Sequence, residues 1–249
     1  MARLARAAAL VHPPARAVAG SAAVLGAAAV AHAAPGITAI GPVRRRCFPS
    51  LAGMGAADHV ALTFDDGPDP GSTPLFAELL ASRGVRATFF LLGSMVERAP
   101  GLAAELAAAG HEMAVHGWEH RHMLLRSPRV VYDDMARARD AVAVATGAVP
   151  VLFRPPYGVL TSAAALAARR LGMRPLLWTC WGRDWTADAT PDSVFATIRR
   201  DLAGGATVLL HDSDCTSAPQ SWRSALGALD MLLDECARNG WRAGPVNEH

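Results

Sequence analysis

Short apolar runs alternate with longer amphipathic stretches from residue 59 to the end of the sequence. Apolar runs of four to eight residues, rich in β-branched and aromatic side chains, predict buried strands, and the stretches between them predict helices. The predicted strands are 59–64, 85–92, 112–116, 151–153, 174–179, 206–211 and 241–243. This alternation indicates a parallel sheet whose strands are joined by helical crossovers.

The predicted helices have clear start and stop signals. Ser127-Pro128 supplies a capping hydroxyl and a first-turn proline, and Gly147 ends the same segment. Similar signals bound the segments 72–84, 161–172, 190–204 and 221–240, and a shorter helix is predicted over 101–109.

Polar side chains lie at or just beyond the carboxyl ends of the predicted strands: Asp65, His116, Arg154, Asp184 and His211. In a barrel these ends converge on one rim, whereas an open sheet would spread them along a line. The pattern therefore favours a distorted (β/α) barrel with about seven parallel strands, forming a single domain over 58–249. Residues 34–57 are predicted to be a linker.

Composition excludes several kinds of chemistry. All 24 basic side chains are arginines, so a Walker-A loop, a Schiff-base lysine and a Ser–Lys nucleophile are ruled out. The formal net charge of +2 gives no strong attraction to nucleic acid, and no nucleic-acid partner is expected.

The first 33 residues resemble a targeting segment. Arginines precede an uncharged, alanine-rich stretch that ends in Ala31-His32-Ala33, as in a secretory signal peptide. A membrane anchor is the alternative, so the expected location is secreted or at the cell envelope, with membrane association through this segment in the second case. The run Arg44-Arg45-Arg46 is interpreted as a solvated loop.

The four cysteines do not form a zinc-binding pattern. Cys47, Cys180, Cys215 and Cys236 lack CxxC spacing. Export would permit a Cys180–Cys215 disulfide, but buried free thiols are the favoured interpretation.

Two short segments carry candidate metal chemistry. Asp65 and Asp66 end the first predicted strand, and a Gly-Pro turn follows them. His116 and His120 are four residues apart, a spacing that lets two imidazoles hold one ion. Together with an aspartate from another strand end they would leave positions open for water, as a catalytic zinc site requires.

The ordered motifs resemble those of the NodB-type polysaccharide deacetylases, also called carbohydrate esterase family four. The resemblance runs from about residue 58 to 246. It rests on TFDDGP at 63–68, GHEMAVH at 110–116 leading to His120, RPPYG at 154–158, Asp184-Trp185, and LLHD at 209–212. The family's fold is a distorted β/α barrel, in agreement with the strand pattern.

The resemblance implies a role for each matching residue. Asp66, His116 and His120 would bind a divalent ion, with zinc expected and cobalt, nickel or manganese as alternatives. Asp65 would be the general base, paired with Arg154, and His211 the general acid, oriented by Asp184. The Tyr157 backbone N–H would bind the oxyanion, and Trp185 and Leu209 would form a pocket for an acetyl methyl group. The implied reaction removes N-acetyl groups from an amino-sugar glycan, such as peptidoglycan or a chitin-like oligosaccharide.

Two positions depart from the family pattern. Gly117 replaces the usual Ser or Thr, which would loosen the loop that carries the histidines, and Trp181 replaces a usual aspartate. Trp178, Trp181 and Trp185 lie close together in the sequence around the second of these positions. They are expected either to stack on sugar rings, if exposed, or to belong to the hydrophobic core, if buried.

Three other functions remain open from the sequence. The segment 116–120 also reads H-x-x-E-H, a metallopeptidase pattern with Glu119 as base. The chain could instead be a non-catalytic glycan-binding relative, or a relative that opens cyclic amides. The intact Asp-His-His set disfavours the last of these.

Overall fold

The computed structural model describes residue 24 and residues 26–249. The predicted signal peptide or anchor at 1–33 lies largely outside the described residues. The described residues contain eight strands: β1 (His59–Asp65), β2 (Thr88–Leu91), β3 (Glu112–Val115), β4 (Leu152–Phe153), β5 (Arg174–Pro175), β6 (Cys180–Trp181), β7 (Thr207–His211) and β8 (Arg242–Gly244).

Helices occupy most of the connections between strands. From residue 41 onward they are α1 (Gly41–Cys47), α2 (Pro49–Ala52), α3 (Thr73–Ser82), α4 (Gly93–Arg98), α5 (Pro100–Ala108), α6 (Pro128–Thr146), α7 (Ser162–Arg170), α8 (Pro191–Arg199) and α9 (Trp222–Arg238). The capping signals act as predicted at several starts, since Ser127 accepts the Val130 N–H and Thr161 accepts the Ala164 N–H. Helix α4 was not predicted.

All strand pairs are parallel, in the order β5-β4-β3-β2-β1-β7-β6, and β8 pairs with the first half of β1. Strand β1 therefore lies at the centre, with Asp65 opposite His211 on β7. Every residue of β1 is buried, because helices cover its outer face and the barrel interior covers the other.

The sheet must curl to satisfy its own connectivity. Strands β5 and β6 stand at opposite ends of the strand order, about 29 Å apart if the sheet were flat. Only residues 176–179 join them, and that connection can span no more than about 18 Å. The curled parallel sheet confirms the predicted distorted barrel.

The amino-terminal helices fill the gap between β5 and β6. The Leu51 carbonyl accepts the Leu177 N–H at 2.7 Å, and the Gly53 carbonyl accepts the Thr207 hydroxyl at 2.6 Å. Arg44 is buried and donates to the carbonyls of Trp178 and Thr38, each at 2.9 Å. Burial, with help from the nearby Arg154 charge, lowers the pKa of Arg44 to about 10.

Two expectations about this region need correction. Residues within the predicted linker 34–57 form helices that pack on the barrel, and Arg44 is not part of a solvated loop. The predicted strand 174–179 is too long: only Arg174–Pro175 form a strand, β5, and β6 begins at Cys180, beyond the predicted end. The strand stops early because Leu176 donates its N–H to the Phe153 carbonyl, whereas Leu177 donates its N–H to the Leu51 carbonyl across the gap.

Two further expectations concern the membrane and the cysteines. Among the described residues, no single helix is long and apolar enough to span a membrane, although Gly26–Ala39 and Gly41–Cys47 pass that test as a pair bent by 92°. All four cysteines are free thiols; Cys180 and Cys236 are buried, and Cys47 and Cys215 are exposed.

Candidate active site

The predicted polar residues meet at one end of the barrel. Asp65 ends β1, His116 and Arg154 follow β3 and β4, and His211 ends β7. Asp65, His116 and His211 border a cavity of about 250 Å³, and Arg154 lies buried behind Asp65. The cavity is lined by Asp65, His116, His120, Tyr157, Gly158, Trp178, Trp181, Trp185, Leu209, His211, Thr216 and Ser217.

Asp66, His116 and His120 form a group that could hold a metal ion. Asp66 Oδ1 lies 3.5 Å from His116 Nε2 and 3.8 Å from His120 Nε2, and the three ligand atoms all lie within 4.8 Å of one another. Asp66 Oδ1 is buried and has no hydrogen-bond partner among the described residues. A buried carboxylate oxygen without a partner is costly, and a cation between these atoms would satisfy it.

The backbone of Asp66 has a strained conformation that directs its side chain toward the two histidines. Its φ angle of 81° lies in the left-handed region, which non-glycine residues seldom occupy. Successive side chains of a strand point to opposite faces, so Asp65 and Asp66 could not both face the rim on regular β backbone. The left-handed turn at Asp66 brings both carboxylates to the same site.

His116 is oriented and kept neutral for ligation. Its Nδ1 lies 2.8 Å from the Arg154 carbonyl, which leaves Nε2 facing Asp66. Burial, together with the neighbouring His120, lowers the pKa of His116 to about 3. Burial also lowers the pKa of His120. Both rings are therefore in the form that a metal ion requires.

Gly117 does not leave the histidine loop loose. Its φ of 92° favours glycine, and a Cβ there would lie 3.2 Å from Asp134 Oδ1. The Gly117 carbonyl accepts the Gly93 N–H at 2.9 Å, and Trp118 donates its N–H to Asp134 at 2.9 Å. Arg137 lies over the Trp118 ring at 3.4 Å. These contacts fix the loop without the Ser or Thr of the family pattern.

Asp65 lies beside the metal-ligand group and is paired with Arg154. Arg154 Nη1 donates to Asp65 Oδ1 at 2.6 Å, while Asp65 Oδ2 lies 3.6 Å from His116 Nε2. Burial raises the pKa of Asp65, and the charges of Arg154 and His211 oppose that rise. Arg154 is itself fully buried and also donates to the carbonyls of Leu176 and Leu177.

His211 forms a second carboxylate pair, with Asp184. His211 Nδ1 lies 3.0 Å from Asp184 Oδ1, and the His211 backbone N–H donates to Asp184 Oδ2 at 2.7 Å. Burial alone would lower the pKa of His211, but the carboxylates of Asp184, Asp66 and Asp65 together outweigh it, and the pKa rises to about 10. His211 is therefore protonated at neutral pH.

Aromatic side chains form the wall of the cavity. Trp178 is buried, Trp185 is half-buried, and Trp181 is exposed, with its ring 4.9 Å from that of Trp185. Leu209 is buried beside them. Tyr157 also lines the cavity, with a φ of 60° and its hydroxyl 3.3 Å from the His120 carbonyl.

The sequence motifs did not reveal every residue at the site. Thr216 donates to Asp66 Oδ2 at 2.5 Å, and neither it nor Ser217 was singled out. They lie in an irregular loop after β7, where no periodic pattern signals a function. Gly158 was quoted only as part of a motif; a Cβ there would lie 2.5 Å from the Trp178 ring.

Glu119 is not placed for catalysis. Residues 116–120 are not helical, and the half-exposed Glu119 carboxylate pairs with Arg121 at 2.6 Å. Glu119 does not border the cavity. The H-x-x-E-H peptidase alternative therefore lacks its base.

The fold and site define a β/α barrel with a two-histidine, one-carboxylate cation group at its rim. The sequence profile of the family described as polysaccharide deacetylase matches residues 53–176. A chitooligosaccharide deacetylase from Bradyrhizobium sp. (strain ANU 289) is 35% identical over 213 residues, which cover 81% of this chain and 94% of that protein. The chain belongs to the polysaccharide deacetylase family, and the resemblance seen in the motifs is confirmed.

Two other similar proteins are a longer deacetylase and a pseudoenzyme. The peptidoglycan-N-acetylglucosamine deacetylase of Listeria monocytogenes is 32% identical over 193 residues, covering 76% of this chain but 38% of that protein. The chain thus spans well under half the length of this relative. A solved structure of a carbohydrate esterase family four pseudoenzyme from Bacillus anthracis is 26% identical, with a TM-score of 0.69, covering 77% of this chain and 64% of that one.

Proposed function

We propose that the protein is a metal-dependent hydrolase that removes N-acetyl groups from an amino-sugar glycan and releases acetate and a free amine. The observation that carries this proposal is the arrangement around one cavity. The cation-ligand group of Asp66, His116 and His120 lies beside the Asp65 carboxylate, which is paired with Arg154. The same cavity is lined by the protonated His211, which is paired with the Asp184 carboxylate. A site built only for binding needs no such matched base and acid.

The donor set fits zinc. Two imidazole nitrogens and one carboxylate oxygen are the ligands of many catalytic zinc sites, and they leave room for water and substrate. Cobalt, nickel and manganese accept the same donors. When bound, such an ion would polarise the acetyl carbonyl and make a water molecule more acidic.

Asp65 is placed to act as the general base. Its Oδ2 faces the cation group, and Oδ1 is fixed by Arg154 at 2.6 Å. The positive charge of Arg154 favours the carboxylate form, while burial raises the pKa of Asp65 and makes it a stronger base. Asp65 takes a proton from water as the water oxygen adds to the carbonyl carbon. The Tyr157 backbone N–H, at the cavity wall, would donate to the carbonyl oxygen as it becomes negative.

His211 is placed to act as the general acid. An amine anion is a very poor leaving group, so the amide nitrogen must gain a proton before the C–N bond breaks. His211 carries that proton at neutral pH because the hydrogen-bonded Asp184, with the nearby Asp66 and Asp65 carboxylates, raises its pKa. Because His211 lines the cavity and its Nδ1 is held by Asp184, Nε2 is the nitrogen left to deliver the proton.

The cavity wall suggests how an acetylated sugar is held. Leu209 and Trp185 offer an apolar surface against which an acetyl methyl group can pack, and the exposed Trp181 ring can stack on a sugar face. The relatives whose names specify peptidoglycan or chitooligosaccharide support an N-acetylglucosamine polymer or oligomer as substrate. Since such glycans lie outside the cytoplasm, we propose a secreted or envelope location, in keeping with the signal-like residues 1–33.

Replacing Asp184 with asparagine should shift the pH dependence of deacetylation. The acid form of His211 is lost as pH rises through the His211 pKa, and without the Asp184 charge that pKa falls. The alkaline limb of kcat against pH should therefore move to lower pH in the variant. An unchanged alkaline limb would show that His211 is not the acid.

Acetate release from N-acetylglucosamine oligomers, with and without a chelator, tests the proposed function. We expect release by the zinc-loaded protein, loss after chelation, and recovery when zinc is restored. Release by a demonstrably metal-free protein would overturn the mechanism. A protein that binds zinc and the oligomer but releases no acetate would instead be a glycan-binding relative, like the pseudoenzyme that shares its fold.

A further inference from the structure

The loop after β7 reaches back to the cation-ligand group. From this loop, the Thr216 hydroxyl donates to Asp66 Oδ2 at 2.5 Å, and the Cys215 thiol donates to the Asp66 carbonyl at 3.6 Å. Asp66 is therefore held at both its side chain and its backbone by residues about 150 positions away in the sequence. Neither contact belongs to the sequence motifs that identify the site.

The hydroxyl contact distinguishes the two oxygens of the Asp66 carboxylate. Oδ2 is occupied by Thr216, whereas the buried Oδ1 has no partner among the described residues and faces the two histidines. A free carboxylate can rotate and offer either oxygen, or both, to an ion. A short hydroxyl–carboxylate hydrogen bond is strong enough to select one orientation.

The loop is itself held in place. Ser213 accepts the Cys215 N–H at 3.2 Å, Asp214 accepts the Gln220 N–H, and the Ala218 N–H donates to the Trp185 carbonyl at 3.0 Å. The last contact ties the loop to the aromatic wall of the cavity. Thr216 is therefore presented to Asp66 by a braced loop, so little entropy is lost when its hydrogen bond forms.

We propose that Thr216 is a positioning residue that restricts Asp66 to single-oxygen ligation and so strengthens cation binding. The inference rests on the proposed function only in that it assumes the Asp66, His116 and His120 group binds a divalent cation. It does not depend on deacetylation. Outer partners of metal ligands commonly contribute about 10–100-fold to metal affinity, which sets the expected effect.

The test is the zinc affinity of Thr216→Val, measured by competition with a chromophoric chelator. Valine keeps the shape of threonine and removes the hydroxyl. We expect the zinc dissociation constant to rise about 10–100-fold, and Thr216→Ser to remain close to the wild type. Thr197→Val is the matched control, because it removes a hydroxyl from α8 whose hydrogen bond within the described part of the chain goes to the Ser193 carbonyl. Its zinc affinity should not change.

The outcomes separate this inference from the proposed function. Zinc affinity of Thr216→Val equal to that of the wild type would overturn the role of Thr216, whether or not acetate is released. Weakened zinc binding would support it even if the protein proves to be non-catalytic. If Thr216→Val does not fold, the pair Thr216→Ala and Thr216→Ser gives the same comparison, because these two side chains differ only by the hydroxyl.

Discussion

Replacing Asp65 with asparagine should lower the rate of deacetylation by about 10²–10⁴-fold while leaving zinc binding nearly intact. The amide cannot accept the proton of the attacking water, but it keeps the size of the carboxylate. Asp65 is not one of the three side chains that form the cation-ligand group. The measurement is kcat for acetate release, together with the zinc content of the purified variant.

Glu119→Gln is the matched control for Asp65→Asn. It makes the same chemical change at a half-exposed carboxylate that pairs with Arg121 outside the cavity. A deacetylase should retain most of its activity in this variant. If Glu119→Gln abolished hydrolysis and Asp65→Asn spared it, the protein would use the peptidase arrangement instead.

Replacing Arg154 with methionine should destabilise the fold by about 3–5 kcal/mol as well as abolish activity. Arg154 and Asp65 are both fully buried, so the substitution leaves a buried carboxylate without its counter-charge. It also removes the donors to Thr63, Leu176 and Leu177. Urea denaturation of the wild type and the variant measures the difference.

Arg129→Met supplies the comparison for the arginine substitution. Arg129 is 91% exposed, and its distance to Asp133 is 3.7 Å, so we expect no measurable change in the urea midpoint. The double variant Asp65→Asn, Arg154→Met should be more stable than Arg154→Met alone, since it no longer buries an unpaired charge. Equal stability of the Arg154→Met and Arg129→Met variants would show that the buried Arg154–Asp65 pair does not stabilise the fold.

The strand pattern was sufficient to predict the barrel because apolar periodicity reports burial directly. Strands β1, β3 and β7 lie within one residue of their predicted bounds, and helix α6 begins and ends at its capping signals. The early end of β5 at Pro175 and the start of β6 at Cys180 were not predictable in this way. They depend on a long-range hydrogen bond from the Leu177 N–H to the Leu51 carbonyl.

The site residues carried by motifs were predictable, and those supplied by tertiary contacts were not. Asp66, His116 and His120 lie in recognisable segments, and the structure brings them together. Thr216 lies in an irregular loop, and Arg44 in a segment that resembled a linker. Their positions depend on which carbonyl or carboxylate lies opposite them in space, which no local pattern encodes.

Family membership by itself does not decide whether this protein is an enzyme, since its fold is shared with a pseudoenzyme. The distinction between an enzyme and a pseudoenzyme depends on which side chains lie at the rim of the barrel. Here the proposed base Asp65, the proposed acid His211 and the carboxylate of Asp184 that pairs with His211 are all present, beside an intact group of possible metal ligands. The departures at Gly117 and Trp181 remove none of these groups.

Anomalous diffraction from crystals of the zinc-loaded protein tests the central claim most directly. The account predicts one strong zinc peak at about 2.0–2.2 Å from Asp66 Oδ1, His116 Nε2 and His120 Nε2, with Asp65 beside it but held by Arg154. A zinc ion bound elsewhere, or one that omits any of the three ligands, would contradict it.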